Sequence, residues 1–194
     1  MDMTSLFLIR YDVLTNFYLA GIWDTVPHEL MRQRPHARVN SIAWIMWHLA
    51  RVEDAGLNRF VVDRSQVLDE SDWMQRMNLP LRDNGSEMTL AEVEDVSQLL
   101  DLAALRLYMQ AVQARTRDIL AGIDQVDLEA TLQEPLVRRV IVDEGLAHTD
   151  PEGFIKNYTG WSKGKCLMTY GLTHPFQHLG EMETIASLLG VVFE

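Results

Sequence analysis

The chain has 194 residues, of which 47% are hydrophobic and 23% charged, a profile that excludes intrinsic disorder and fits one ordinary globular domain, residues 1–194. Seventeen Lys and Arg against 28 Asp and Glu give a formal charge of −11. Such a surface repels phosphate backbones and argues against nucleic acid as a partner. The single cysteine, Cys166, excludes an internal disulfide and a thiolate cage for zinc.

The first predicted helix runs from about residue 4 to 26. Leu6, Ile9, Val13, Phe17, Ala20 and Trp23 recur at three- and four-residue steps and read as its inner stripe. Pro27 ends it or opens a short extra turn through Leu30. The apolar run at 6–9 closes at Arg10, too short for a signal peptide, and no run approaches the ~18 residues of a membrane span. These features and the free cysteine fit a reducing, cytoplasmic setting, in which the glycosylation triplet at Asn157 is empty.

The second helix starts at Asn40-Ser41, both good N-caps, and runs to about residue 62 with Ile42, Ile45, Leu49 and Val52 inward. Residues 63–88 are polar and irregular. Pro80 and Asn84-Gly85 mark turns there, and 71–74 reads as a short helix. A capping box, Thr89 with Glu92, opens a third helix that reads as continuous, with Val93, Val96, Leu100, Ala103, Leu107 and Ala111 inside and Arg115 and Arg117 near its C-terminal end, ahead of Gly122. The β-branched run at 137–142 reads as a short strand among loops. The last helix begins at Lys163 or Lys165 and ends at Leu189, before Gly190. Four helices with long connections read as an all-α four-helix bundle. An irregular α-rich domain with more core helices is the alternative.

Six histidines decide what chemistry is open. His28, His36 and His148 sit beside prolines or Asp150 and read as loop residues. His174 and His178 stand four apart, so a helix projects both from one face, together with Leu167, Gly171, Met182, Ile185 and Leu189. His48 lies in the inner stripe of the second helix. Buried imidazoles cost free energy without partners, and one divalent metal would partner all three. Three protein ligands leave positions for water or substrate, the catalytic rather than the sealed pattern. Pro175 should kink the last helix and bias His174 away from helical geometry.

Glu181, one turn beyond His178, can accept an imidazole N–H, take a proton or ligate; a solvated surface glutamate is the plainer alternative. Glu53 and Asp54 rotate off the His48 face and read as surface charges. Cys166 has no histidine near it in sequence and reads as inert. Lys163 and Lys165 lack phosphate-loop spacing and read as solvated charge.

The segment Asn40-Ser41-Ile42-Ala43-Trp44-Ile45-Met46-Trp47-His48-Leu49-Ala50-Arg51-Val52-Glu53-Asp54 resembles the second-helix motif of the DinB-like (DinB/YfiT) superfamily. His174-Pro175-Phe176-Gln177-His178-Leu179-Gly180-Glu181 resembles its last-helix motif. The resemblance spans nearly the whole chain. It implies a divalent metal (Zn, Ni, Mn or Fe) on His48, His174 and His178, and a homodimer. Characterised relatives include transferases and isomerases that use low-molecular-weight thiols such as mycothiol or bacillithiol. The expectation is therefore a metal-dependent enzyme that activates such a thiol, or water, toward a small-molecule substrate, with Glu181 orienting an imidazole or moving a proton. The competing expectation is a non-catalytic dimeric stress or ligand-binding bundle. Pro175 and the long 123–162 segment depart from the simplest family pattern.

Overall fold

A computed structural model describes residues 3–147 and 149–193. Helix α1 covers 3–25 and combines Met3–Val13, a π-helical turn Leu14–Leu19, and Ala20–Thr25. Helix α2 covers 42–61, as Ile42–Ala55 followed by a π-helical turn Gly56–Val61. Helices α3 and α4 are Leu90–Leu99 and Leu102–Gly122. Helix α5 covers 134–143, α6 is Pro151–Tyr158, and α7 covers 163–188. Among the described residues the only β pairing is an isolated bridge between Thr131 and Ser162. The all-α expectation holds. Helix α2 packs on α4 and α7, and α1 packs on the same two, closing a four-helix arrangement.

Local chemistry sets the helix ends. Ser41 Oγ accepts from Trp44 N at 3.0 Å, capping α2. Thr89 and Glu92 form the expected reciprocal box at α3. Gly190, at φ +83°, follows the end of α7, where the left-handed backbone favours glycine.

The third predicted helix is two helices, not one. Leu100 and Asp101 are extended, Asp101 N donates to Met77 O, and Asp101 Oδ1 caps α4 through Ala104 N at 2.9 Å. The Arg32 guanidinium gathers the carbonyls of Ser97, Gln98 and Leu100 at the end of α3. Asn78 Nδ2 donates to the Leu99 carbonyl at 3.0 Å, so the last carbonyls of α3 have partners outside the helix. The break also resets the helical phase. Leu105, Tyr108 and Val112 are buried in α4, whereas the expected Ala103 and Leu107 are exposed and Ala111 only half-buried.

Two further expectations are corrected. Residues 137–142 are helical, within α5. Pro135 sits in its first turn, and Val137, Val140 and Ile141 are buried at helical, not alternating, spacing. In α1 the inward face is Phe7, Tyr11, Leu14 and Ile22. Leu6, Ile9, Val13 and Phe17 face outward, while Trp23 is buried as expected. Both faces of α1 are apolar, so periodicity alone does not choose between them. The Tyr11 hydroxyl, which donates to the Glu53 carboxylate, marks the face that does turn inward.

Candidate metal centre

Every residue of Ile42–Ala55 is buried. His48 therefore stands on a helix with no solvent face and is itself 4% exposed. Its ring stacks on Trp44, with centroids 4.8 Å apart and planes 6° from parallel. Its Nδ1 is hydrogen-bonded to the main-chain oxygen of Asn84. A carbonyl only accepts, so Nδ1 carries the proton and Nε2 keeps its lone pair, which faces His174. The turn that delivers this carbonyl needs Gly85, which has φ +78° and whose missing Cβ would lie 2.6 Å from the Trp47 ring.

His174 and His178 come from α7. The expected kink at Pro175 does not end the helix, because a π-helical turn, Thr169–Thr173, precedes it. The wider turn accommodates a residue with no N–H to donate. His174 keeps helical dihedrals (φ −63°, ψ −47°), and the helix runs on as His174–Leu188. The bias away from helical geometry expected at His174 is therefore not seen. Gly171, within that turn, meets Phe7 of α1, where a Cβ would come within 2.5 Å of the ring.

The three rings converge. Centroids lie 4.6 Å apart for His174–His178, 5.0 Å for His48–His174 and 5.3 Å for His48–His178, all edge-to-face. One ligand nitrogen from each lies within 4.8 Å of the others, an arrangement that could hold a metal ion. Nε2 of His48 and Nε2 of His174 are 3.2 Å apart. Two nitrogens each ~2.05 Å from one tetrahedral ion would be separated by about 3.3 Å.

Glu181 accepts from His178 Nδ1 at 2.7 Å and from Asn40 Nδ2 at 3.0 Å. His178 Nε2 is thereby left with its lone pair, as in His48. Burial pushes the Glu181 carboxyl up, but the His178 and Asn40 contacts outweigh it and hold the group below the usual range. Burial, then the neighbouring His174, brings His48 down to about 3. Burial, then His178, brings His174 down to about 4. These two imidazoles are neutral at physiological pH, the form a metal requires. His174 Nδ1 is buried without a partner. Two lone pairs fixed by second-nitrogen hydrogen bonds, with a third imidazole against them, fit a divalent cation better than they fit each other.

A cavity of about 160 Å³ opens beside His174. Phe60, Tyr158, Trp161 and Tyr170 wall it, and Asn84 and Asn157 supply polar edges. Burial pushes the phenols of Tyr158 and Tyr170 up, so both remain protonated donors.

The other candidates lie elsewhere. His28 is exposed and opens a short helix, His28–Met31, with its ring edge-to-face on Trp23. His36 is exposed and accepts from Arg38 N. His148 falls outside the described residues. Cys166 is fully buried, and burial pushes its thiol up to about 12, consistent with an inert group. Lys165 is exposed and its ammonium lies 3.7 Å over the Trp161 ring, rather than free in solvent.

Glu53 and Asp54 are buried, not surface charges. Asp54 accepts from Val67 N, Leu68 N, Asn58 Nδ2 and Tyr108 Oη, and Glu53 from Tyr11 and Thr116. Sequence reasoning also missed Asn84, whose contribution is a main-chain oxygen. Asn40 was visible only as a cap candidate. Trp44 was visible only as part of the motif.

Comparison with known proteins bears on this geometry. A crystal structure described as a conserved protein from Enterococcus faecalis superposes with a TM-score of 0.71, covering 97% of each chain at 18% identity. That likeness shows the fold alone. No curated protein matches the sequence. A family model for the DinB superfamily matches residues 18–182, a span that includes His48, His174, His178 and Glu181. On that match, over most of its length, the chain belongs to the DinB superfamily.

Proposed function

We propose that the protein is a divalent-metal-dependent enzyme acting on a small molecule, with His48, His174 and His178 as the ligands. One observation carries this reading. His48 and His178 each commit Nδ1 to a fixed acceptor, which leaves both Nε2 lone pairs available in a cluster that already contains a third imidazole. When bound, the ion supplies the Lewis acidity that brings a low-molecular-weight thiol, or water, to nucleophilic form near neutral pH.

The chain's own residues do the rest. Asn84 and Glu181 hold the ring orientations of His48 and His178. Glu181 acts through His178 and is a positioning residue on this reading. Trp44 restricts the tilt of His48. Phe60, Tyr158, Trp161 and Tyr170 present aromatic faces to the adjoining cavity and favour a flat or apolar reacting part of the substrate. Thiol transfer to an electrophile is the reaction to test first, and metal-assisted hydrolysis the second.

The test begins with metal content after purification without chelators or a histidine tag. Stoichiometric metal, lost in His178→Ala, supports the assignment. Substoichiometric metal that Zn²⁺, Ni²⁺ or Mn²⁺ does not raise, or full affinity in His178→Ala, overturns it. Full metal with no turnover in a thiol-by-electrophile and hydrolase screen favours the ligand-binding bundle.

The outward face of α1 supports a homodimer. Met3, Leu6, Ile9, Val13 and Phe17 are exposed apolar residues on this face, with Phe17 70% exposed and Arg10 among them. Ile9→Glu should shift the particle seen by light scattering from dimer to monomer. A monomeric wild type at tens of micromolar would remove this part of the reading.

A further inference from the structure

The cavity beside His174, about 160 Å³, is close to the ~150 Å³ that accommodates a benzene ring in an apolar protein interior. Phe60, Tyr158, Trp161 and Tyr170 form its aromatic wall. The wall is interlocked. Tyr158 stands edge-on to Trp161 with centroids 5.2 Å apart, and Trp161 stacks on Tyr170 at 6.3 Å.

Two buried polar groups on the same lining lack a partner. Asn84 is 6% exposed. Its Oδ1 accepts from Ser86 N at 3.0 Å, and its Nδ2 finds no acceptor among the described residues. His174 Nδ1 is buried without a partner, while Nε2 of the same ring faces His48. With Nε2 on an ion, Nδ1 carries the proton and becomes a second donor. That second donor rests on the metal reading, and the Asn84 donor does not. A buried donor left unmet is costly, so an occupant that brings an acceptor is favoured.

Charge narrows the choice. Among the described residues no Lys, Arg, Asp or Glu lines the cavity. A carboxylate would be desolvated there without a cation beside it. A cation would meet N–H groups, and the Lys165 ammonium already lies 3.7 Å over the Trp161 ring.

We propose that this cavity takes an uncharged aromatic carbonyl compound, its ring against the aromatic wall and its oxygen accepting from Asn84 Nδ2 and, in metal-loaded protein, from His174 Nδ1. The proposal deepens the metal-dependent reading by naming the class of its small-molecule substrate. Asn84 then serves twice, its main-chain oxygen orienting His48 and its side chain holding the substrate.

The experiment titrates the whole chain by calorimetry, metal-free and loaded with Zn²⁺. Acetophenone and α-methylstyrene have the same shape and differ in the carbonyl oxygen. Cyclohexyl methyl ketone keeps the acetyl group on a puckered ring. Acetophenone should bind one per chain and tighter than cyclohexyl methyl ketone. Asn84→Asp keeps the acceptor for Ser86 N and removes the donor. It should weaken acetophenone about tenfold or more in both forms and leave α-methylstyrene unchanged. Zn²⁺ should tighten acetophenone alone. Trp161→Ala should weaken both aromatic compounds alike. Circular dichroism verifies that the variants are folded. If the protein takes up no Zn²⁺, the metal reading falls, and the Asn84→Asp effect in metal-free protein still supports the cavity. No saturable acetophenone binding, equal losses of acetophenone and α-methylstyrene in Asn84→Asp, or tighter binding of benzoate or tetramethylammonium would each overturn the proposal, even with Zn²⁺ fully bound.

Discussion

His48 and Asp54 lie six residues apart on one buried helix, and both are polar groups removed from water. Asp54 is surrounded by donors. Val67 N and Asn58 Nδ2 reach Oδ1 at 2.8 Å, and Leu68 N and Tyr108 Oη reach Oδ2 at 2.9 and 2.6 Å. Arg51 adds charge at 3.4 Å. His48 has one nitrogen satisfied and the other facing a second imidazole. A buried group whose partners all come from the chain ties segments together. A buried group left with an open lone pair among similar groups is prepared for something from outside. In this protein the carboxylate is the fastening and the histidine is the site.

The contrast extends to pH. Burial raises Glu53 to about 7. The folded state thus holds a proton that the unfolded chain releases near 4.5. Its stabilising contribution is complete below that value and is lost as pH rises through about 7. His48 and His174 behave oppositely, being brought down to about 3 and about 4. Their contribution is present above about 6.5 and disappears as pH falls through those lower values.

The sharpest way to break the comparison is Asp54→Ala. It strands the Val67 and Leu68 N–H groups and leaves Arg51 without its carboxylate, and should cost about 3–5 kcal/mol in urea unfolding. His48→Ala should remove metal binding while costing far less stability in metal-free protein. Equal losses in the two variants would erase the distinction drawn between fastening and site.

Next in size is Glu53→Gln, which keeps an acceptor for Tyr11 and Thr116. The wild type should lose up to about 3 kcal/mol between pH 4.5 and 8 through this group, and the variant should not. Denaturation midpoints across that range would show it, and an unaltered slope would mean that Glu53 is not the group responsible.

The smallest effect is expected from Glu181→Gln. If Glu181 only holds the His178 ring, metal affinity should fall about 10–100-fold with little change in metal-free stability. The activity profile against pH should keep its shape. A shifted profile at unchanged affinity would instead make Glu181 a proton carrier.

Much of the site was legible from spacing. His174 and His178 share a helix face at any four-residue interval, and His48 fell within an apolar stripe. The Thr89–Glu92 box and Gly190 marked helix ends through chemistry confined to one turn. Glu53 and Asp54 were misplaced because an amphipathic reading assumes a solvent face, and Ile42–Ala55 has none. The break at Leu100-Asp101 was hidden because its stabilising groups, Arg32 and the Met77 carbonyl, are distant in the chain. The outward turn of Leu6 and Ile9 was hidden because both faces of α1 are apolar.

The sequence by itself determined the helical class, the acidic charge, the single thiol and the three histidines, all of which follow from composition or from contacts within a few turns. Tertiary structure decided which lone pairs remain open. That outcome depends on the Asn84 carbonyl reaching His48, on Asn40 reaching Glu181, and on α2 and α7 bringing His48 within 3.2 Å of His174. Each of these contacts joins residues far apart in the chain, and a main-chain oxygen looks the same at every position until the fold places it.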